Sequence, residues 1–237
     1  MARRKGEKEA LRRERERREA EARAAQRRKR LVGYGGGAVL AVVAIAVVVL
    51  LAAGGNGAEG QGGGDVFPEG GDVSEQTEFE IEAAAKAAGC DLRSERASGV
   101  ADHTTTLEER VQYDSNPPTD GRHYQVPAQD NVYAEAPTDE QLVHSLEHGR
   151  VIMWVKPSLP EAARESVRAL YDEDTYQMLL VPRSNMRPAL AATAWNRDPD
   201  PGGTGQTLSC PEWNDEVADA VRTFRDEHRS NGPEPVP

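Results

Sequence analysis

The sequence predicts an α+β fold: one compact extracytoplasmic domain with a small sheet and several helices, preceded by a single transmembrane helix. Three observations predict it. A long uncharged apolar run separates a basic N-terminal segment from an acidic remainder. After it, helix-start signals alternate with short apolar runs of strand length. No internal repeat interrupts that alternation. The implied organisation is a cytoplasmic basic tail over residues 1–30, a transmembrane helix over 31–53, a flexible Gly-rich linker over 54–72 and the domain over 73–237.

The charge is divided sharply. The formal net charge is −11, yet residues 1–30 hold fourteen Lys and Arg against six Glu, leaving 15 basic and 34 acidic residues after them. In the tail, Glu and Arg recur three or four apart without an apolar face, as in an exposed helix drawn to anionic lipid headgroups. From Leu31 to Ala53 no residue is charged, and these 23 residues reach roughly 34 Å as a helix, enough to span a bilayer. The thirty-residue leader and the lack of a small-residue cleavage site set this run apart from a signal peptide. The basic flank belongs in the cytoplasm, so the expected topology is single-pass in the cell membrane, N-terminus inside, C-terminal domain outside. Nine glycines in the nineteen residues 54–72 make a flexible spacer. Cys90 and Cys210 both follow the span, where oxidising conditions favour a disulfide between them; two buried free thiols are the alternative.

The domain elements follow in order. "TEFEIEAAAKAAGC" reads as a short helix opened by a Thr77/Glu80 capping box and stopped at Gly89. Residues 91–136 lack helical periodicity, and "SNPPTDGRHY" demands an irregular loop, with a strand starting near His103. Thr138 caps a second helix, with Gln141 three positions on and Gly149 at its end. "RVIMWV" is a buried strand, Ser158 and Glu161 open a helix through about Asp172, and "TYQMLLVP" and "PALAATAW" are two further strands around the turn "RSNMR". Ser209 and Glu212 open the last helix, whose stripe is Trp213, Val217, Ala220, Val221 and Phe224; "SNGPEPVP" reads as a frayed tail.

Chemistry concentrates in "LVHSLEHGRVIMW". His144 and His148, one turn apart on a helix, can direct both imidazoles at one ion, and Glu147 lies beside them as a base or an orienting acceptor. The competing reading is structural: His148 ends the helix, where an imidazole meets the last carbonyls favourably. Two more histidines tip the balance. His123 sits in the "NPPTDGRHY" loop and His103 at a strand start, so four of five histidines fall between 103 and 148; His228 reads as a surface residue. The expected metal set is His103, His123, His144 and His148, and imidazole donors suit copper or zinc. Met153 or Met186 would add a thioether and favour copper, but a core role is the simpler reading for both.

"YDSNPPTDGRHY", "VHSLEHGRVIMW" and "ALAATAW" resemble the motifs of a bacterial membrane-anchored family known as domain of unknown function 3105, over about residues 88–235. The resemblance carries onto His103, Tyr113, Pro117, Pro118, Gly121, His123, Tyr124, His144, Glu147, His148, Gly149 and Trp195. It departs at Asp120 and Arg122, where Ser and Pro are usual, and those residues imply a more polar, less rigid loop. The resemblance implies no activity.

Three functions stay open. The first is an extracytoplasmic domain that binds a transition metal. The second is a zinc hydrolase of the inverted H-x-x-E-H type, which needs an acidic third ligand; Glu161, Glu165, Asp172 and Glu173 are the candidates, though most read as a solvated helix face. The third is an envelope scaffold, with a protein partner and histidines in a hydrogen-bond network. No nucleotide loop, Ser-His-Asp signal or reactive Cys setting is present, and a net charge of about −19 beyond residue 30 argues against nucleic acid.

Overall fold

Strand β1 (Asp91–Arg96) reveals how the domain departs from its sequence pattern. It is charged and mostly exposed, with none of the apolar alternation that announces a strand, and it forms because its backbone zips antiparallel onto β7 (Thr204–Cys210). The two are also joined covalently, since Cys90, just before β1, is bonded to Cys210 at the end of β7. The structure, a computed structural model, describes residues 66–99 and 101–234. The basic tail, the apolar segment 31–53 and the first part of the spacer lie outside the described residues. Among the described residues no helix is long and apolar enough to cross a membrane.

The main sheet has five strands in the order β1-β7-β6-β4-β5, where β4 is Val151–Val155, β5 Met178–Pro182 and β6 Leu190–Asn196. Only β4 and β5 run parallel, and the connection between them carries helix α3 (Glu161–Glu173), as a parallel crossover requires. A second, two-stranded parallel sheet pairs β2 (His103–Thr104) with β3 (His123–Tyr124).

Alternation along the central strands supplies two cores. Val151, Met153, Val155, Leu180 and Ala192 face one side, where α1 (Ile81–Ala87), α3 and α4 (Asp215–His228) cover them with Val167, Leu170, Val221 and Phe224. Ile152, Trp154, Leu179, Val181 and Trp195 face the other side, covered by α2 (Asp139–Glu147) through Leu142, Val143 and Leu146. Both faces being buried, the central strands read as continuous apolar runs, and a mixed α+β architecture results.

Several expectations are corrected. Phe67 is fully buried in the first core, and Arg164 donates to the Val66 carbonyl at 2.6 Å, so residues on the N-terminal side of the expected boundary at Asp72 pack with the domain. Thr77 and Glu80 form no capping box; Thr77 donates its hydroxyl to Asp219 of α4 at 2.9 Å, which docks the segment sideways instead. Helix α3 starts after Pro160 without a side-chain cap. Ser209 lies inside β7, and the true cap of α4 is Asn214, whose Oδ1 accepts from Val217 N at 3.0 Å. "SNGPEPVP" is tied down as far as Glu234, because Gly149 and Glu147 carbonyls accept from Ser230 N and Glu234 N. His228 is half-buried, its ring edge-on to Phe224 and its Nδ1 3.0 Å from Asn196 Nδ2. The Thr138 capping box on α2 is present with both of its reciprocal contacts, as the sequence predicts.

Candidate metal centre

Helix α2 presents one turn of polar side chains on a face that is otherwise packed. Its start is set by the Thr138 cap, and Arg183 from the end of β5 holds Asp139 through both guanidinium nitrogens, at 2.6 and 3.0 Å. The same Arg183 donates to Asn116 Oδ1 at 2.6 Å and lies over the Trp154 ring, which ties the Pro117–Pro118 loop to the helix. Glu140, 2 % exposed, accepts from Val111 N at 2.8 Å and pins the preceding loop as well. Ser145 donates to Ala128 O at 2.8 Å. None of these ties has a local sequence signature, because each joins residues more than fifteen positions apart.

The loop before His123 is fixed from both sides. Asp120 accepts from Ser98 N at 2.7 Å, Arg122 pairs with Glu109, and Tyr113 donates its hydroxyl to the Arg122 carbonyl at 2.8 Å. Asp120 and Arg122 therefore anchor this loop rather than loosen it. Gly121 has φ +118, a conformation that side chains rarely adopt, and its carbonyl accepts from His123 Nδ1 at 2.8 Å. Parallel pairing in register then sets His103 beside His123.

These supports bring His103, His123, His144 and Glu147 together, with one donor atom from each within 4.8 Å of the others. His123 is fully buried, His144 and Glu147 are each 5 % exposed, and His103 is open to solvent. The imidazole centroids of the three histidines are 4.7–5.0 Å apart. His148 belongs to an adjoining group with Glu147 and Glu234, and its Nε2 is 3.0 Å from His144 Nε2. The histidine set expected from the sequence is thus contiguous, with Glu147 added at its centre. Sequence reasoning singled out Glu147 as a base or orienting group; its inward direction, among three imidazoles, is a tertiary feature.

Tautomers follow from the partners. A carbonyl only accepts, so the 2.6 Å contact of His144 Nδ1 with Tyr124 O and the 2.8 Å contact of His123 Nδ1 with Gly121 O each place a proton on Nδ1. In the neutral rings both Nε2 lone pairs then point inward. With no ion bound, His148 Nε2 donates to His144 Nε2, a contact His144 gives up when its Nε2 takes a cation. His123 Nε2 lies 3.1 Å from Glu147 Oε2, yet the two are not aligned for a hydrogen bond, and each is a buried atom with no hydrogen-bond partner among the described residues. With a neutral His123 ring these are two acceptors facing each other with their desolvation uncompensated, a conflict that a proton or a cation between them relieves.

The electrostatics favour ligand-ready forms. Burial lowers the His144 pKa to about 4, with the neighbouring histidines adding to the effect, so its ring is neutral at pH 7. Burial, and next Arg150, lower His148. Burial works to raise Glu147, but a hydrogen bond from a protonated His123 Nε2, and then the charge that His123, His144 and His103 bring when protonated, outweigh it and hold the carboxyl below its usual range. Three imidazoles and one carboxylate can chelate a cation. Donors on a tetrahedral ion with bonds of about 2.0–2.1 Å sit about 3.3 Å apart, so the His123–Glu147 spacing of 3.1 Å fits and the remaining donors need a modest inward movement.

The acidic residues considered as further zinc ligands lie elsewhere. They belong to α3 on the opposite face of the sheet, where Asp172 pairs with Arg168 and Glu173 with Arg222. Met153 packs in the first core and Met186 in the second.

Comparison with known families gives one finding: the model described as "Protein of unknown function (DUF3105)" matches residues 103–237, the span that contains all four of these side chains. No curated protein and no solved structure matches.

Proposed function

This chain belongs to the DUF3105 family, and from that premise we propose that its domain binds a divalent transition metal, zinc or copper(II), through His103, His123, His144 and Glu147 with His148 alongside. One observation carries the reading: His123 Nε2 and Glu147 Oε2 are buried and face each other at 3.1 Å inside a group of four candidate ligands. A cation there would be coordinated by both atoms at once. Nitrogen donors in the majority suit zinc or copper(II), and Met153 packs in the core on the far face of the sheet from α2. A metal-free scaffold would need a proton on His123 Nε2 to satisfy the same two atoms. The hydrolase reading is weaker, because the helix stops at His148 and the acids of α3 are paired on the far face.

The proposal includes placement: a single-pass anchor over residues 31–53 with the domain outside the cell membrane, supported by the apolar run and its basic flank. The Cys90–Cys210 disulfide agrees with an oxidising compartment. Reporter fusions after residue 30 and after residue 65 test this, and equal cytoplasmic activity for both would rule the topology out.

Elemental analysis of the purified full-length chain tests the metal. Wild type is expected to carry or take up zinc or copper stoichiometrically, and His123→Ala and Glu147→Gln to lose affinity by at least about 100-fold, more than the loss of an outer-shell partner. A folded wild type that takes up neither metal would refute the proposal and leave the histidines as architecture.

A further inference from the structure

His148 stands apart from the other site histidines. It is the C-cap of α2, half-buried rather than sealed, and the C-terminal segment runs back across it. Ser230 donates its backbone N–H to Gly149 O at 2.8 Å, and Glu234 donates to Glu147 O at 3.1 Å. Two glycines allow that approach. A Cβ on Gly232 would lie 2.2 Å from Glu147 O, and one on Gly149 would lie 3.0 Å from Ser230 Cα. Gly149 also has φ +80, the left-handed conformation that ends a helix. The strap thereby sets Glu234 beside His148 and Glu147, with one donor atom of each within 4.8 Å of the other two.

This group is more than a pair of surface acids with a histidine. Glu147 is 95 % withdrawn from solvent and its Oε2 is unpartnered. A carboxylate offers two oxygens and about four lone-pair sites, more than one ion in the inner cluster can use. The 3.0 Å contact between His144 and His148 links the two groups directly.

We propose that His148, Glu234 and the Glu147 carboxylate form a second, outer divalent-cation position that shares Glu147 with the inner one. The inference rests on the metal reading above. One imidazole and two carboxylates take the same zinc-like cations as the inner cluster. They hold them less tightly, because nitrogen donors are fewer and Glu234 is open to water. Carboxylate-bridged ions of this kind sit about 3.5–4 Å apart. Glu147 and Glu234 bring two negative charges to offset the repulsion between the ions.

Zinc titration of the full-length, detergent-solubilised chain, read by equilibrium dialysis and elemental analysis, decides the matter. Wild type is expected to bind two zinc ions, the second at least about 10-fold more weakly than the first. Glu234→Gln, at an exposed side chain, should keep the first ion and weaken the second at least about 10-fold. Gly232→Ala, which displaces the strap, should do the same, with circular dichroism confirming the fold. Saturation of wild type at one equivalent overturns the inference while leaving the inner site standing. Two ions bound with unchanged affinity in Glu234→Gln also overturns it. No zinc bound at all removes both the inner and the outer position.

Discussion

His123 is held by its Nδ1 to the Gly121 carbonyl, so the backbone of one glycine aims the donor atom of a buried imidazole. The Tyr113 ring lies 3.5 Å from where a Cβ on Gly121 would stand, an ordinary contact, so backbone conformation alone opposes a side chain there. Gly121→Ala is expected to destabilise the domain by about 1–3 kcal/mol. It should also weaken metal binding by roughly 10–100-fold, as loss of an orienting partner does; urea unfolding and zinc titration measure the two effects. A second residue-scale prediction concerns His228. Burial lowers its pKa to about 4, against about 6.5 for a free imidazole, so folding favours the neutral ring. Its contribution is complete above about pH 6.5 and is lost as the pH falls towards 4, because the unfolded chain then binds the extra proton. Between pH 7.5 and 5 wild type is expected to lose about 1–2 kcal/mol more stability than His228→Gln. Parallel denaturant titrations at the two pH values check this, and equal losses would contradict it. The candidate ligands themselves were legible in the sequence as a histidine cluster in a histidine-poor chain. The orientation of Glu147 and the burial of His228 were not, since both depend on neighbours distant in sequence.

At the scale of elements, α2 is the piece whose placement matters most. Its start was legible, because Thr138 and Gln141 form a local pair that needs nothing else. Its lateral position is set by Arg183, which grips Asp139 and Asn116 from the end of β5. Arg183→Lys keeps the charge but loses the planar fork, and is expected to destabilise the domain by about 1–2 kcal/mol and weaken zinc binding. Thermal unfolding should show a fall of about 2–8 °C, and an unchanged melting temperature would count against this role. The false capping boxes at Thr77 and Ser209 share one cause. A Ser or Thr three residues before a Glu satisfies a local pattern, but Thr77 serves Asp219 and Ser209 pairs within the sheet, so tertiary partners overrode the pattern. Strand β7 ("TGQTLSC") was missed for the opposite reason. Gly, Gln and Ser give it little strand propensity, and it forms because β1 and β6 flank it on both sides.

For the whole molecule, the Cys90–Cys210 bond closes the longest covalent loop, with the partners 120 residues apart. All seven strands and two of the four helices among the described residues lie within that loop, while α1 and α4 lie outside it. A Cys90→Ser, Cys210→Ser pair is expected to lower stability by about 2–5 kcal/mol, mainly by freeing the unfolded chain. Denaturant unfolding of the variant beside wild type, both at neutral pH, measures it. Bound zinc should raise the stability of either protein in proportion to the logarithm of its free concentration, because the unfolded chain has no assembled site. Composition and local pattern determined by themselves the division of charge, the α+β class, the apolar strands of both cores, the α2 cap and the clustering of four of the five histidines. These depend on side-chain period and on neighbours within one turn. Tertiary structure alone decided that residues 66–72 pack with the domain, that β1 and β7 are strands, that Glu147 turns inward and that Glu234 returns to the end of α2. Those outcomes rest on backbone pairing and close glycine contacts between segments far apart in the chain, where no local pattern carries the information.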